Sequence, residues 1–400
     1  MKRILVLDRF YFPDEQPTSI YLTELTEALQ NQFQFEILSG PPLIINAGGS
    51  FYPALRFTIH RAPCPHFSKK NLLARFFNDS GFLISAFFHG LFVKHPDLIF
   101  SQTSPPGLWG IAFLLKLWHR SRWIQVCQDI FPDNLTALTQ SSGIFVKTLG
   151  RISDFILKKA DHIIVIGEDM KERVLQKGFL PSKVLCIPNW VDADFIRPLP
   201  KKNSFSKKHH LDDKFVVLYP GNFGRIYNFD DVLNAARELK PYPQIVFVLA
   251  GEGAAKEKLI EESEREGLEN ILFLPFQPRS ILPEMLASAD IGLVLLKREM
   301  AGLSVPSKIY SLLASGRALL ACAEEKSDVA RLVRESQAGF SVSPGDPKEL
   351  AQKILVLYQD EGLKQQLGKN ARAYAEEKNF QASAFRDYER VFEQVLQKTV

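Results

Sequence analysis

Short apolar runs alternate with helix-length amphipathic segments along the whole chain. This alternation is typical of βα units, which build parallel sheets with helices on both faces. Seven strands are predicted in the first half, at Ile4–Leu7, Phe35–Leu38, Phe57–His60, Leu98–Ser101, Trp123–Cys127, His162–Ile166 and Val184–Ile187. Six more are predicted in the second half, at Phe215–Tyr219, Ile245–Leu249, Ile271–Leu274, Ile291–Leu296, Ala318–Cys322 and Phe340–Val342.

The alternation lapses once, over residues 197–213, where Pro198, Pro200 and a lysine-rich run have the composition of a linker. A chain of 400 residues also exceeds the usual limit of a single core. We therefore predict two Rossmann-like, doubly wound α/β domains, at residues 1–196 and 214–378. A final helix within residues 379–400 is predicted to pack back on the first domain.

Some helix ends are readable from single residues. Asn228 is predicted to cap a helix over Phe229–Leu239, because asparagine favours the N-cap position. Asp346 followed by Pro347 predicts the start of another helix after Gly345.

The composition is that of a globular protein, with 46% hydrophobic and 24% charged residues. The four cysteines, Cys64, Cys127, Cys186 and Cys322, form no CxxC pair and follow no secretory leader. Reduced thiols and a cytoplasmic location are therefore expected.

Charge is unevenly distributed. Residues 51–128 contain nine Lys or Arg but only two acids, Asp79 and Asp97, and this stretch favours an anionic partner. The apolar segment Gly81–Val93 within it is too short to span a bilayer. It is either a buried helix or a helix in the interface of an anionic membrane, with Lys69, Lys70 and Arg75 on lipid phosphates.

Three loops of the second half follow predicted strands directly, at the carboxyl ends where open α/β sheets bind ligands. Small residues there allow backbone amides to approach a phosphate, and an arginine adds a fork of donors. Each loop taken alone is equally compatible with a simple turn. The candidate donor-binding residues are Gly221, Asn222, Phe223, Gly224, Arg225, Glu252, Gly253, Phe276 and Gln277.

The segment Ala301–Lys308 is the strongest single motif. It runs into a predicted helix over Ile309–Ser315, and Pro306 marks the first turn. Free amides at a helix start, with the Lys308 ammonium beside them, would make a diphosphate site. A capped helix without a ligand is the alternative. The candidates are Ser304, Val305, Ser307, Lys308 and Ser311.

The order of these motifs resembles the family 4 glycosyltransferases of the GT-B fold. In the second half the resemblance rests on Gly221–Arg225, Ala250–Gly253, Phe273–Phe276, Ala289–Gly292 and Gly302–Lys308 with Ala314–Gly316. In the first half it rests on Phe10–Pro13, Gln102–Pro106, Gln128–Pro132 and Ile187–Asp192. It covers nearly the whole chain and is nearest to the branch that builds bacterial surface polysaccharides.

The resemblance implies two domains facing each other across a cleft. It also implies a retaining transfer, without metal or cofactor, from a nucleotide diphosphate sugar to a lipid-linked or saccharide acceptor. Arg225 and Lys308 would then stabilise negative charge on the leaving diphosphate. Two features depart from the family pattern. No second basic residue follows Arg225 within Ile226–Phe229, and the family's glutamate pair falls on Leu303 and Ser311.

On the acceptor side, Asp129 follows a predicted strand and is the candidate to orient or deprotonate the incoming hydroxyl. Its alternative role is to cap the turn before Pro132. Thr18 and Ser19, in the loop after the first strand, are weaker candidates, because either residue is also suited to begin the helix that follows.

Other functions have less support. Asp192 and Asp194 spell a metal-binding pair but are predicted to form a hinge turn, and no His/Cys spacing indicates zinc. A nucleic-acid partner is not expected, because no recognition module is present. Two alternatives to a glycosyltransferase remain: a nucleotide-sugar epimerase of the same fold, and a non-catalytic nucleotide-sugar-binding subunit.

Overall fold

The structure, a computed structural model, describes residues 1–42, 56–65, 67, 72–139 and 143–397. The chain forms two compact units. The first contains residues 1–188 and 382–400, and the second contains residues 189–381. The predicted Lys69 and Lys70 contacts lie outside the described residues, and the side chain of Arg75 is likewise not described.

The first unit is built on a seven-stranded sheet in the order β3-β2-β1-β4-β5-β6-β7. All neighbouring strands are parallel. Strands β4 and β6 are buried at every position, as expected where helices cover both faces of a parallel sheet. The strands are β1 Arg3–Leu7, β2 Gln34–Ser39, β3 Thr58–Arg61, β4 Leu98–Ser101, β5 Arg122–Cys127, β6 His162–Val165 and β7 Val184–Cys186.

The second unit is built on a six-stranded parallel sheet in the order β10-β9-β8-β11-β12-β13. Its strands are β8 Phe215–Pro220, β9 Ile245–Ala250, β10 Ile271–Leu274, β11 Ile291–Leu295, β12 Ala318–Cys322 and β13 Gly339–Val342. Each of the thirteen strands predicted from the sequence is present, with bounds that differ by no more than one residue.

Helices fill the connections between the strands. They are α1 Pro17–Leu29, α2 Leu72–Leu91, α3 Leu108–His119, α4 Asp133–Thr139, α5 Ile144–Leu157, α6 Glu168–Gln176, α7 Ser204–Lys208, α8 Asp230–Glu238, α9 Lys256–Arg265, α10 Leu282–Ala287, α11 Lys308–Ala314, α12 Asp328–Ser336, α13 Pro347–Gln359, α14 Glu361–Lys378 and α15 Phe380–Gln397. Among the described residues, none of these helices combines the length and the apolar character needed to cross a membrane.

Helix α15 belongs to the first unit from Ala382 onward. The ring of Phe392 is fully buried and meets Phe33 and Phe100 edge to face, at centroid distances of 5.6 and 5.1 Å. Such aromatic pairs add to the free energy gained by burying their area. The last helix is therefore part of the core of this unit.

The segment predicted as a linker is folded into the second unit. Asn203 and Ser206 form a capping box that starts α7, and Phe205 is buried. The Lys201 ammonium forms an ion pair with the buried Asp290 carboxylate, which also pairs with Lys364. The Ser, Asn and Lys residues that resemble linker composition thus serve as helix caps and ion-pair partners. The unit boundary also falls earlier than residue 196, after Pro188.

The two predicted helix starts have different outcomes. Asp346 caps α13, where its side chain accepts a hydrogen bond from the Glu349 amide, as predicted. The prediction for Asn228 is wrong, since α8 begins at Asp230 and its N-cap residue is Phe229. Asn228 instead donates to the Asp231 carboxylate at 2.7 Å, because that buried acid needs polar partners.

Candidate functional site

The carboxyl edge of the second sheet has a switch point beside β8. Chain order runs from β8 through β9 to β10 on one side, and β11 returns to the other side of β8. Ligands of open α/β sheets bind in the crevice at such a point. The loops that border it are Gly221–Arg225 and residues 296–307, and the Lys297 amide joins them by donating to the Ile226 carbonyl at 2.9 Å. The sequence-predicted motifs therefore converge on the expected place.

Two glycines allow the loops after β8 and β9 to touch. A Cβ atom at Gly251, whose φ is +151°, would lie 1.8 Å from the Gly221 carbonyl oxygen. A Cβ atom at Gly253, whose φ is +157°, would lie 2.4 Å from Oδ1 of Asn222. Only glycine adopts this backbone conformation without strain and leaves room for the neighbouring chain. These contacts position the loop that carries Arg225.

Lys308 reaches the switch point from the start of α11. Its Cε atom lies 3.1 Å from the position that a Cβ atom would take if Gly221 carried one. The ammonium lies 3.6 Å from the ring centroid of Tyr219 and 4.1 Å from that of Tyr227. The nitrogen is buried and has no hydrogen-bond partner among the described residues. An anion placed here would supply the missing partner.

Burial lowers the pKa of Lys308 well below its ordinary value. Desolvation disfavours the charged form of an amine, and no carboxylate among the described residues offsets it. The two aromatic faces attract the ammonium but accept no conventional hydrogen bond from it. The site is thus prepared for a negatively charged ligand, which would restore the protonated state.

Arg225 differs from Lys308 in its surroundings. The side chain is exposed, and it forms no hydrogen bond or ion pair with the residues that the structure describes. A guanidinium in this state is ready to bind a phosphate through two parallel hydrogen bonds. The edge of the second sheet therefore presents one solvated cation, Arg225, and one desolvated cation, Lys308, from neighbouring loops.

Three predicted donor-binding residues of the β8 and β9 loops have structural partners instead. Phe223 is fully buried, stacks on Phe229 at 5.0 Å and donates its amide to the Glu252 carbonyl. Its ring is thus part of the core and cannot reach a ligand. The Gly221 amide is also taken, since it donates to the Ala250 carbonyl at 2.8 Å. Glu252 pairs with Lys256 at 2.9 Å through its carboxylate.

The remaining donor-side candidates lie on the surface of the same edge. Asn222 is exposed and Gly224 partly exposed in the β8 loop, and Phe276 is exposed after β10. The Gln277 side-chain amide donates to the Pro275 carbonyl at 2.9 Å, so it stabilises its own turn. These positions leave Asn222, Gly224 and Phe276 as donor-binding predictions.

Helix α11 begins one residue before the predicted Ile309, but Pro306 does not lie in its first turn. Lys308 is the first helical residue and Ser307 is the N-cap, so Pro306 precedes the cap. Ser304 and Val305 are largely buried, whereas Ser307 is partly exposed. The Ser311 hydroxyl donates to the Lys308 carbonyl at 2.9 Å and keeps its oxygen available as an acceptor.

Sequence reasoning missed the two tyrosines that surround the Lys308 ammonium. Tyr219 is buried near the carboxyl end of β8 and donates its hydroxyl to the Asn222 carbonyl at 2.7 Å. Tyr227 occupies the segment that lacks the family's second basic residue. The aromatic side chains at these positions were a readable signal, because they flank the glycine loop on both sides.

In the first unit, Asp129 directly follows β5 and is partly exposed. It therefore lies at the carboxyl edge of the first sheet, the position that the sequence pattern predicts. The preceding Gln128 amide donates to the Thr103 hydroxyl at 3.1 Å, which ties the β5 loop to the β4 loop.

Thr18 and Ser19 lie in the first turn of α1, not in the loop where they were predicted. Ser19 is fully buried, and its hydroxyl donates to the Asp14 carbonyl at 2.7 Å. Because Pro17 fixes the first helical position, the helix begins one residue before Thr18. Ser19 therefore stabilises the loop, whereas Thr18 stays an acceptor-side prediction.

Two buried polar residues at the switch point of the first sheet were not singled out from the sequence. Asp8 follows β1 and Gln102 follows β4, and these strands are neighbours. Burial raises the pKa of Asp8 well above its ordinary value, partly offset by a hydrogen bond from the Phe10 amide. The Asp8 Oδ2 and Gln102 Oε1 atoms have no hydrogen-bond partner among the described residues. Unpaired buried acceptors are uncommon in folded proteins, so these two residues join the candidate site.

Asp192 and Asp194 form a turn, as predicted: Oδ1 of Asp192 accepts hydrogen bonds from the amides of Asp194 and Phe195, each at 2.9 Å. Within the described part of the chain, no cluster of three or more His, Cys, Asp or Glu side chains has the arrangement of a metal site.

Each half of the chain matches the model of a known protein family. Residues 18–195 match the model described as glycosyltransferase family 4, and residues 200–374 match the model described as glycosyl transferases group 1. The chain belongs to glycosyltransferase family 4. This glycosyltransferase carries the matched segments in the order that the sequence motifs predict, and the resemblance is confirmed.

Curated relatives extend over most of the glycosyltransferase. WbjE of Pseudomonas aeruginosa is 26% identical over 366 residues, which cover 88% of this chain and 89% of WbjE. WcaI of Escherichia coli K12, linked by its name to colanic acid biosynthesis, is 26% identical over 361 residues, 85% of this chain and 88% of its own length.

The glycosyltransferase also resembles solved structures. Alr3699/HepE of Anabaena, crystallised with UDP-glucose, superposes with a TM-score of 0.75 at 16% identity. The match covers 98% of this chain and the whole of that protein. Together with the two parallel sheets, this likeness shows the GT-B fold.

Proposed function

We propose that this glycosyltransferase moves a sugar from a nucleotide diphosphate sugar to a lipid-linked or saccharide acceptor in surface polysaccharide biosynthesis. One observation carries the donor assignment. The Lys308 ammonium is buried at the switch point of the second sheet, without a hydrogen-bond partner among the described residues. A diphosphate is the anionic part of such a donor and fits this requirement.

The chemistry needs charge stabilisation at the leaving group. As the bond between the anomeric carbon and the diphosphate oxygen breaks, negative charge accumulates on the diphosphate. Lys308 and Arg225 would stabilise that charge in place of a metal ion. Desolvation strengthens the contribution of Lys308, since a charge interaction is stronger where water is excluded. Retention of the anomeric configuration is proposed from the family resemblance.

The acceptor assignment rests on the first unit and on the relatives. We propose that Asp129, at the carboxyl edge of the first sheet, orients or deprotonates an incoming hydroxyl. The name of WcaI, with its link to colanic acid, supports a polysaccharide pathway. The structure of Alr3699/HepE with UDP-glucose supports a nucleotide sugar as donor. We place the enzyme in the cytoplasm, in peripheral contact with the inner face of the membrane.

A non-catalytic nucleotide-sugar-binding subunit is a second candidate. It is favoured by Leu303 and Ser311, which occupy the positions of the family's glutamate pair. Without a carboxylate there, ribose recognition would depend on backbone groups or on the Ser311 hydroxyl.

A nucleotide thermal-shift screen tests the proposal. We expect uridine or guanosine diphosphate to raise the melting temperature by mass action, equally with and without a chelator. Incubation with the matching nucleotide sugar should then release free nucleotide diphosphate. Stabilisation that requires manganese or magnesium would contradict the metal-free mechanism. Stabilisation without turnover, even with added acceptors, would favour the binding subunit, and an epimerised donor would favour an epimerase.

A further inference from the structure

Three neighbouring helices of the first unit form one layer. Helix α2 packs against α3, and α3 packs against α5. Helices α2 and α3 approach closely, because a Cβ atom added at Gly90 would lie only 2.5 Å from the Leu115 side chain. Nε2 of His119 also lies 2.8 Å from the Gly90 carbonyl oxygen. The outward sides of these helices therefore form a continuous surface, which we call the α2–α3–α5 face.

The α2–α3–α5 face exposes large apolar side chains. Phe92 is 87% exposed, Ile144 86% and Phe145 76%. Phe77, Ile84 and Phe88 recur at intervals of seven and four residues, so they share one side of α2. Single exposed apolar residues are ordinary, whereas a group on adjacent elements marks an interaction site. The exposed set is Phe76, Phe77, Ile84, Phe88, Phe92, Leu114, Leu117, Trp118, Ile144, Phe145, Ile152 and Phe155.

The charges on this face are one-sided. The only acids on α2, α3 and α5 are Asp79 and Asp154, and they pair with Arg9 and Lys177 at 2.9 and 3.0 Å. Lys116 of α3 is paired with Asp161. In contrast, four other cations on the helices or just beyond their ends are exposed and form no ion pair or hydrogen bond with the described residues. These cations are Lys94, Arg120, Lys147 and Arg151. The free charge of the face is therefore positive.

We propose that the α2–α3–α5 face lies on an anionic phospholipid bilayer, and this proposal gives a surface to the membrane contact of the proposed function. The aromatic and aliphatic side chains would enter the boundary between headgroups and acyl chains, and the four cations would meet lipid phosphates. Trp118, beside Arg120 at the end of α3, suits the interface, where tryptophan is enriched. The surface extends well beyond the 69–94 segment that the sequence pattern indicates.

Charge favours a lipid surface over a second copy of the chain. A symmetric dimer through this face would bring together two sets of the four unpaired cations, and like charges at an interface oppose association. A bilayer containing anionic lipid instead offers phosphate groups to each cation at no such cost.

Vesicle co-sedimentation tests the proposal on the full chain without a donor sugar, so failure of the transferase proposal would not affect the result. The vesicles contain phosphatidylcholine with or without phosphatidylglycerol. We expect binding to the anionic vesicles, and weakening at high salt, because salt screens exposed charges. Lys94→Glu with Arg120→Glu should lower the partition coefficient by at least about 30-fold, since the loss of each basic residue costs about fivefold and each new carboxylate adds repulsion from the anionic lipid.

Matched variants separate this face from general surface effects. Lys326→Glu with Lys348→Glu changes the net charge equally at exposed residues of the second unit and should leave binding unchanged. Phe92→Ser with Trp118→Ser should lower binding about tenfold or more, because apolar burial at the interface is lost. Leu180→Ser with Val356→Ser, also at exposed apolar positions, should leave vesicle binding unchanged.

Three results would overturn the proposal. The first is the absence of sedimentation with anionic vesicles at low salt. The second is an equal loss of binding in the face variants and in their controls. The third is a dimer in analytical ultracentrifugation that Phe92→Ser with Trp118→Ser dissociates while vesicle binding stays intact, since the face would then join two copies.

Discussion

The two units share one architecture but differ at their surfaces. Of the exposed large hydrophobic side chains among the described residues, sixteen belong to the first unit and three to the second. Helices α5 and α9 illustrate the difference. Helix α5 exposes Ile144, Phe145, Ile152 and Phe155, whereas α9 buries Leu259 and Ser263 and otherwise carries mostly charged residues. A doubly wound unit therefore folds without an apolar exterior, and the fold alone does not account for the exposed apolar side chains of the first unit.

The second unit concentrates its distinctive chemistry at one edge of its sheet. There, Lys308 and Arg225 come from neighbouring loops, and the two tyrosines enclose the Lys308 ammonium. We propose lipid and acceptor contacts for the first unit and donor chemistry for the second. Each half of this proposal can be tested by substitutions that do not affect the other half.

The largest effect is expected from Lys308→Met. The change keeps the apolar stem but removes the cation, so turnover should fall about 10²–10³-fold. The ligand-free protein should melt within a few degrees of the parent or higher, because a buried charge without a hydrogen-bond partner is not stabilising. Steady-state kinetics and a thermal melt measure both. Lys326→Met, at an exposed lysine of the same unit, is the control. A normal kcat in Lys308→Met would show that this loop does not stabilise the leaving diphosphate.

A smaller effect is expected from pH. Burial lowers the pKa of Lys308 in the ligand-free protein, and a bound diphosphate would raise it. The complex then holds more protons than the free protein between these two pKa values. Affinity should accordingly fall as pH rises through that window, by up to about tenfold per unit.

Isothermal titration of uridine diphosphate in buffers of different ionisation enthalpy measures this proton uptake. Working above pH 8 excludes most titration of the nucleotide itself. Lys308→Met should abolish the proton uptake that the parent protein still shows above pH 8. Equal uptake in the parent and the variant would assign the proton to another group.

The sequence predicted the parallel sheets because buried strands in α/β units are continuous apolar runs, and the helices between them have their own period. It also placed Lys308 and Arg225, since glycine loops after strands are visible as motifs. It did not predict that Phe223 belongs to the core or that Ser19 is buried. Those outcomes depend on side-chain packing, and a residue in a motif is equally able to hold the loop or to bind a ligand.

The linker prediction failed for a related reason. The polar composition of residues 201–206 resembles a linker, but Asn203 and Ser206 cap a helix and Lys201 pairs with Asp290, which is far away in the sequence. Asp8 and Gln102 were missed because their importance comes from burial at adjacent strand ends, which the separation of 94 positions conceals. Local patterns reveal elements, whereas long-range ion pairs and buried acceptors appear only with the fold.

The smallest effect is expected when the apolar exterior of the first unit is removed. Phe92→Ser and Trp118→Ser should each change the free energy of unfolding by no more than about 0.5 kcal/mol, because exposed side chains contribute little to folding. Denaturant melts without lipid measure this change. Phe392→Ala is the contrasting control in the same unit. Its buried ring packs against Phe33 and Phe100, so its loss should cost about 3–5 kcal/mol. If the two serine variants were as destabilising as Phe392→Ala, the exposed aromatic side chains would belong to the folding core, and the contrast between the two units would disappear.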